Sequence, residues 1–156
     1  MAAAAKSQSF IPIIERIDAF PYIQNDPTQY KEFIKSFYYF MIEDYAKPFG
    51  YVHVNRVQAT TWPPYWRFNH TARTLTLTGT DSLESRTALL RDTLYSAHLE
   101  GKIKSLRKWS EETFSVYGRD NERFMDIPMI GAGFYGVVCT GVSLIAWTGA
   151  AGHRRY

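Results

Sequence analysis

The chain of 156 residues holds one cysteine, Cys139, so no internal disulfide can form and every cysteine-rich zinc pattern is excluded. That usage fits a reducing compartment. No block of five like charges exists for a phosphate backbone to grip, which argues against nucleic acid as a partner despite a formal charge of +3. The opening Met1-Ala-Ala-Ala-Ala-Lys6 has neither the apolar core of a secretory signal nor the arginine-rich face of a transit peptide, so a cytoplasmic protein is expected. The sequon Asn69-His70-Thr71 is then silent. No serine sits in a G-x-S-x-G elbow. The histidines at 53, 70, 98 and 153 lack the spacing of a helical metal pair, and those at 70 and 98 read as solvated polar residues. Charge is missing altogether from residues 127–152, and all 33 charged residues lie elsewhere.

What remains is an ordinary globular composition, 46% hydrophobic and 21% charged. A chain of this length can bury roughly two thirds of its extended surface around one core. Phe10, Ile13, Ile14 and Ile17 repeat at helical spacing up to Pro21, and Asp26-Pro27 reads as a second helix start with Tyr30, Phe33, Ile34 and Phe37 on one stripe. The aromatic density of Phe37 to Ile42, followed by Lys47-Pro48-Phe49-Gly50, favours a strand running into a turn. Val52 to Thr60 is a weaker helix, ended by Trp62-Pro63-Pro64.

Trp66 to Phe68 and Arg73 to Thr78 form a hairpin, the second arm in strict period two. Asp81 and Glu84 suggest a capping box for a helix carrying Leu83, Leu90, Leu94 and Ala97, stopped at Glu100-Gly101. Glu112 to Tyr117 alternates as a half-buried strand, and Gly118 to Asn121 turn the chain. Phe134 to Trp147, rich in β-branched and aromatic residues, reads as a long apolar strand. The fold class is α+β: a small mixed domain with a mainly antiparallel sheet, two to four helices and that C-terminal strand.

Several patterns could carry chemistry. Gly131, Gly133 and Gly136 match the spacing of a dinucleotide-binding loop, but Val137 to Ile145 is poor helix material, so glycines that bend a strand or admit close packing are the plainer account. Residues 127–152 are long enough to span a bilayer, with His153-Arg154-Arg155 behind them, and a membrane-anchored adaptor is one alternative function. Six glycines from Gly131 to Gly152 speak for a buried strand instead. Cys139, in the most apolar stretch, is expected to be buried and inert. Trp62, Tyr65, Trp66 and Phe68 could stack a flat ligand or simply pack a corner. Glu111-Glu112 could hold a cation or act as a base, though neighbours on a strand point to opposite faces and surface charge suffices as an explanation.

Phe49-Gly50-Tyr51, Glu84-Ser-Arg86-Thr87, the run Leu106 to Val116 with Trp109-x-Glu111-Glu112-x-Phe114, and Phe134-Tyr135-Gly136-Val137 together resemble a known pattern. It is that of the N-terminal domain of unknown function in Nudix hydrolases that process thiamine diphosphate, the fungal thiamine pyrophosphokinase-related proteins. The likeness covers roughly residues 10 to 147. Val138 stands where relatives usually carry His. In those relatives the last segment leads into a catalytic Nudix domain, whose box of clustered carboxylates holds Mg²⁺ against a pyrophosphate. No window of this chain fits that box.

The resemblance therefore implies a non-catalytic accessory domain at 10–133 behind a flexible 1–9, with 134–148 like the start of a Nudix domain and 149–156 a tail that departs from it. A truncated family member is expected, with no catalytic residue, metal or cofactor of its own and Mg²⁺ belonging to the absent domain. Trp109, Glu111, Glu112 and Tyr135 are the candidate substrate-binding residues. Expected partners are a Nudix catalytic domain or a second copy, with a thiamine-type small molecule as ligand. The alternative is a Mg-dependent pyrophosphohydrolase completed by a partner chain.

Overall fold

The computed structural model describes residues 11–12, 18 and 20–139. The expected first helix, through Phe10, Ile13, Ile14 and Ile17, falls largely outside them, as do residues 140–147 of the expected last strand. By its contacts the chain divides into Met1–Phe37 and Tyr38–Tyr156. In the first unit, α1 spans Pro27–Ile34. It begins where the sequence places it because Asp26 accepts hydrogen bonds from the amides of Thr28 and Gln29, satisfying donors that have no partner within the helix. The rings of Tyr22, Tyr30 and Phe33 gather around Phe20.

The second unit is an α+β domain. Strands β1 (Phe37–Ile42), β2 (Gly50–His53), β3 (Trp66–Asn69) and β4 (Thr74–Leu77) make a sheet in the order β2-β1-β4-β3. β3 and β4 form the expected antiparallel hairpin, with Phe68 opposite Leu75. β4 also pairs with β1 in parallel, Phe40 opposite Leu75. Period-two burial follows: Tyr38, Phe40 and Ile42 on β1 and Leu75 and Leu77 on β4 point into one core. The helix expected at Val52 starts later. Residues 50–53 first complete the sheet, and α2 runs Val54–Ala59, with His53 Nδ1 accepting from the Asn55 amide as its cap.

Helix α3, Leu83–Glu100, buries Leu90, Thr93, Leu94 and Ala97 at the i, i+3, i+4, i+7 spacing. Its start corrects the sequence reading: the N-cap is Ser82, which exchanges hydrogen bonds with Ser85, rather than the Asp81–Glu84 pair. Gly101 ends it at φ +67, a left-handed conformation in which a side chain would be strained. After a short 3₁₀ turn at Lys104–Leu106, β5 (Thr113–Tyr117) and β6 (Arg123–Pro128) form a second antiparallel sheet, bulged between Val116 and Tyr117. β6, missed in the sequence, packs Met125 and Ile127 into the core.

The chain then departs from the expected strand. Phe134 and Tyr135 lie in a five-residue helix, α4 (Gly131–Tyr135), closed by Gly136 at φ +63. Two features stabilise this turn over extension. Tyr135 lies stacked on Phe40 and on Trp66, with ring centroids 5.0 and 5.9 Å away, and its hydroxyl donates to the Leu90 carbonyl at 3.1 Å. Arg56 from α2 donates to the carbonyls of Gly133 and Phe134, satisfying acceptors at the helix end. Close packing also demands glycine: a Cβ on Gly136 would sit 2.1 Å from the Tyr51 carbonyl oxygen. Residues 136–139 are not a strand, and among the described residues no helix is long and apolar enough to cross a membrane.

Candidate functional site

The four candidate residues divide between two environments. Tyr135 is fully buried, and burial pushes its phenol well above the ordinary value, so it remains a neutral core ring closed to any ligand. Trp109 and Glu111 meet at the surface of α3. The indole Nε1–H of Trp109 donates to one oxygen of Glu111 at 2.7 Å, and Arg91 from α3 pairs with the other at 2.6 Å. Those two bonds hold the Glu111 carboxyl below its usual range, the indole bond counting most. The Trp109 ring packs edge-on against Tyr95 and tilted against His98. Glu112 turns elsewhere: its carbonyl accepts from the Met129 amide at 2.7 Å, joining the start of β5 to the end of β6.

This cluster therefore fastens β5 to α3. A carboxylate so engaged is a poor general base, because its affinity for a proton is reduced. His98, expected to be solvated, is half-buried and donates from Nδ1 to the Leu106 carbonyl at 2.6 Å, since a carbonyl can only accept. Cys139, expected to be buried, is exposed. The rings of Trp62, Tyr65, Trp66 and Phe68 pack a corner: Trp66 donates to Thr93 at 2.8 Å and Trp62 to the Val57 carbonyl at 2.8 Å. Among the described residues no group of three or more His, Cys, Asp or Glu side chains is arranged as a metal-ion site.

A cleft of about 540 Å³ opens where the loop between β1 and β2 faces the end of β5 and the segment after α4. This volume lies within the usual range for a small-molecule site. Tyr45 and Phe49, ring centroids 4.7 Å apart, line it from the loop, both backed by Phe124. Arg86 from α3 holds Phe124 from the far side, its guanidinium 3.9 Å from the ring centre and bonded to the Phe124 carbonyl at 2.8 Å. Tyr117 offers a third, exposed ring.

Two exposed cations border the same cleft, Lys47 from the loop and Arg119 from the β5–β6 turn, and neither makes an ion pair among the described residues. Among the described residues no carboxylate lines it. Asp44, Asp120 and Glu122 lie with Arg119 around a smaller neighbouring cavity, where Glu122 accepts from the Asp120 amide at 2.9 Å. The cleft can thus hold an anion and a flat ring together, and among the described residues its lining has neither a carboxylate nor a histidine. Sequence reasoning missed it, because its cations are 72 residues apart and neither stands in a motif.

Two of the segments that carry the resemblance, Phe49-Gly50-Tyr51 and Phe134-Tyr135-Gly136-Val137, meet in space. Gly50 lies against Tyr135 and Gly136, where a Cβ would come within 2.4 Å of the Tyr135 carbonyl oxygen, and the Tyr51 amide donates to the Gly136 carbonyl. Arg86 and the Trp109–Glu111 pair are likewise fold-building contacts. No family model and no curated protein sequence matches this chain.

Proposed function

We propose that this chain is a non-catalytic accessory domain that holds an anionic thiamine-type ligand, thiamine diphosphate or an oxidised analogue, beside a Nudix catalytic domain. The observation that carries this reading is the cleft at Lys47 and Arg119. A guanidinium can grip a phosphate through two parallel hydrogen bonds, and an ammonium adds a point charge. The rings of Tyr45, Phe49 and Tyr117 offer stacking surface to a heteroaromatic group attached to that phosphate. Hydrolysis needs a further element, a metal-holding carboxylate cage, which the relatives carry in their catalytic domain.

Calorimetric titration of the purified chain tests this directly. Thiamine diphosphate should bind, unphosphorylated thiamine should bind at least tenfold more weakly, and the double variant Lys47→Ala/Arg119→Ala should lose the difference. Equal affinity for the two ligands, or full affinity in the double variant, would refute the assignment.

A further inference from the structure

A second cavity, remote in chemistry from the cationic cleft, lies on the face of the sheet beside α2. It is an open depression of about 520 Å³ lined by Tyr38, Val54, Val57, Gln58, Phe68 and His70. Its geometry is that of a slot. Phe68 and His70, two residues apart on the β3 arm, lie nearly parallel, with an interplanar angle of 22°. The Tyr38 ring stands edge-on to both, at 77° and 87°. Val54 and Val57, one helical turn apart, supply the aliphatic wall.

Three polar side chains, those of Tyr38, Gln58 and His70, belong to the lining. The Tyr38 hydroxyl and His70 Nδ1 are 2.9 Å apart and satisfy each other. Whichever of the two donates, Nδ1 is occupied and Nε2 is the ring nitrogen left for a third group, a donor when Tyr38 gives its proton and an acceptor when His70 does. Gln58, exposed on α2, adds an amide with both a donor and an acceptor. Among the described residues no carboxylate, lysine or arginine lines this slot, and the Arg73 guanidinium lies 4.3 Å from the centre of the Tyr38 ring.

We infer that this slot binds an uncharged planar heterocycle of the nucleobase type, stacked on the Phe68–His70 pair and read along one edge by His70 Nε2 and the Gln58 amide. A flat shape fits the parallel Phe68 and His70 rings and the aliphatic wall, an uncharged ligand fits a lining that offers no ion-pair partner of its own, and the Arg73 guanidinium over the Tyr38 ring disfavours a cation. An edge with both a donor and an acceptor matches the two polar groups. This site stands independently of the accessory role proposed above, which concerns a different cavity and an anion.

Adenine is a suitable probe, and Trp62, whose ring centroid lies 5.7 Å from that of Phe68, is a built-in fluorescent reporter. Titration of the intact chain should give a saturable fluorescence change. His70→Phe keeps the stacking ring but removes Nε2, and should weaken adenine binding about tenfold, the equivalent of one hydrogen bond. Val57→Trp should fill the slot and abolish binding. Toluene, flat but without polar atoms, should bind at least tenfold more weakly than adenine. No saturable response to adenine, full affinity in Val57→Trp, or equal affinity for toluene and adenine would each overturn the inference. Circular dichroism of both variants checks that they fold, and His70, being exposed, is the safer of the two positions.

Discussion

The cluster on α3 and the cleft beside the β1–β2 loop are both built from aromatic rings and charged side chains, yet they do opposite things. On α3, Arg91 neutralises Glu111, and the indole of Trp109 occupies the remaining carboxylate oxygen. At the cleft, Lys47 and Arg119 face solvent with no ion pair among the described residues. The same residue types hold the fold together where their charges close on one another, and remain available to a ligand where they do not. The Trp-x-Glu-Glu run, the most specific part of the resemblance, belongs to the first kind, and the residues proposed to bind belong to no motif.

Substitutions can break this contrast from either side. The largest effect is expected at the glycine turn that supports one wall of the cleft: Gly136→Ala introduces strain at positive φ and a clash with the Tyr51 backbone, and should destabilise by about 3 kcal/mol in urea denaturation. Trp109→Ala should follow at about 1–2 kcal/mol, because a half-buried ring and the bond to Glu111 are lost together. It should leave thiamine diphosphate binding unchanged. Lys47→Ala/Arg119→Ala should reverse that pattern, moving stability by less than about 0.5 kcal/mol while weakening the diphosphate at least tenfold. If the cleft variant melted like the Trp109 variant, the distinction between structural and available charge would fail.

The smallest effect concerns pH. The Glu111 carboxyl is lowered in the folded chain by Trp109 and Arg91, so its contribution is present above the unfolded value near about 4.3 and is lost as pH falls through the lower folded value. Melting temperatures of the parent chain and Glu111→Gln should therefore differ at neutral pH and converge as the pH falls through the lowered folded value. A difference that persists undiminished in strong acid would show that the ion pair is not its source.

Local signals served where local physics decides. Asp26-Pro27, the period-two arm Arg73 to Thr78, the leucine stripe of α3 and the stop at Gly101 each carry their own cause within a few residues. Ser82 and Asp81 are both good caps, and Ser82 takes the role because Ser85, three residues on, returns its hydrogen bond. The other readings that failed depend on distant partners. β6 was hidden because Phe124 and Asp126 face away from the core-directed Met125 and Ile127, mixing apolar and charged residues on its outer side. Phe134 and Tyr135 have the composition of a strand, but the space between Phe40 and Trp66, together with the grip of Arg56, draws them into a helical turn. Of the candidate site, Trp109 and Glu111 were found as neighbours but not their fold-holding role, and the cleft depends on residues 47 and 119 whose meeting is purely tertiary.

The central claim is that this chain holds an aromatic diphosphate without cleaving it. Phosphorus NMR of thiamine diphosphate mixed with the chain and Mg²⁺ tests both halves in one sample. Both phosphorus resonances should shift and broaden on addition of the chain, return to the free position with Lys47→Ala/Arg119→Ala, and keep their full intensity over hours. Growth of a monophosphate or orthophosphate signal that disappears in Glu111→Gln/Glu112→Gln, or resonances untouched by the chain, would contradict the account.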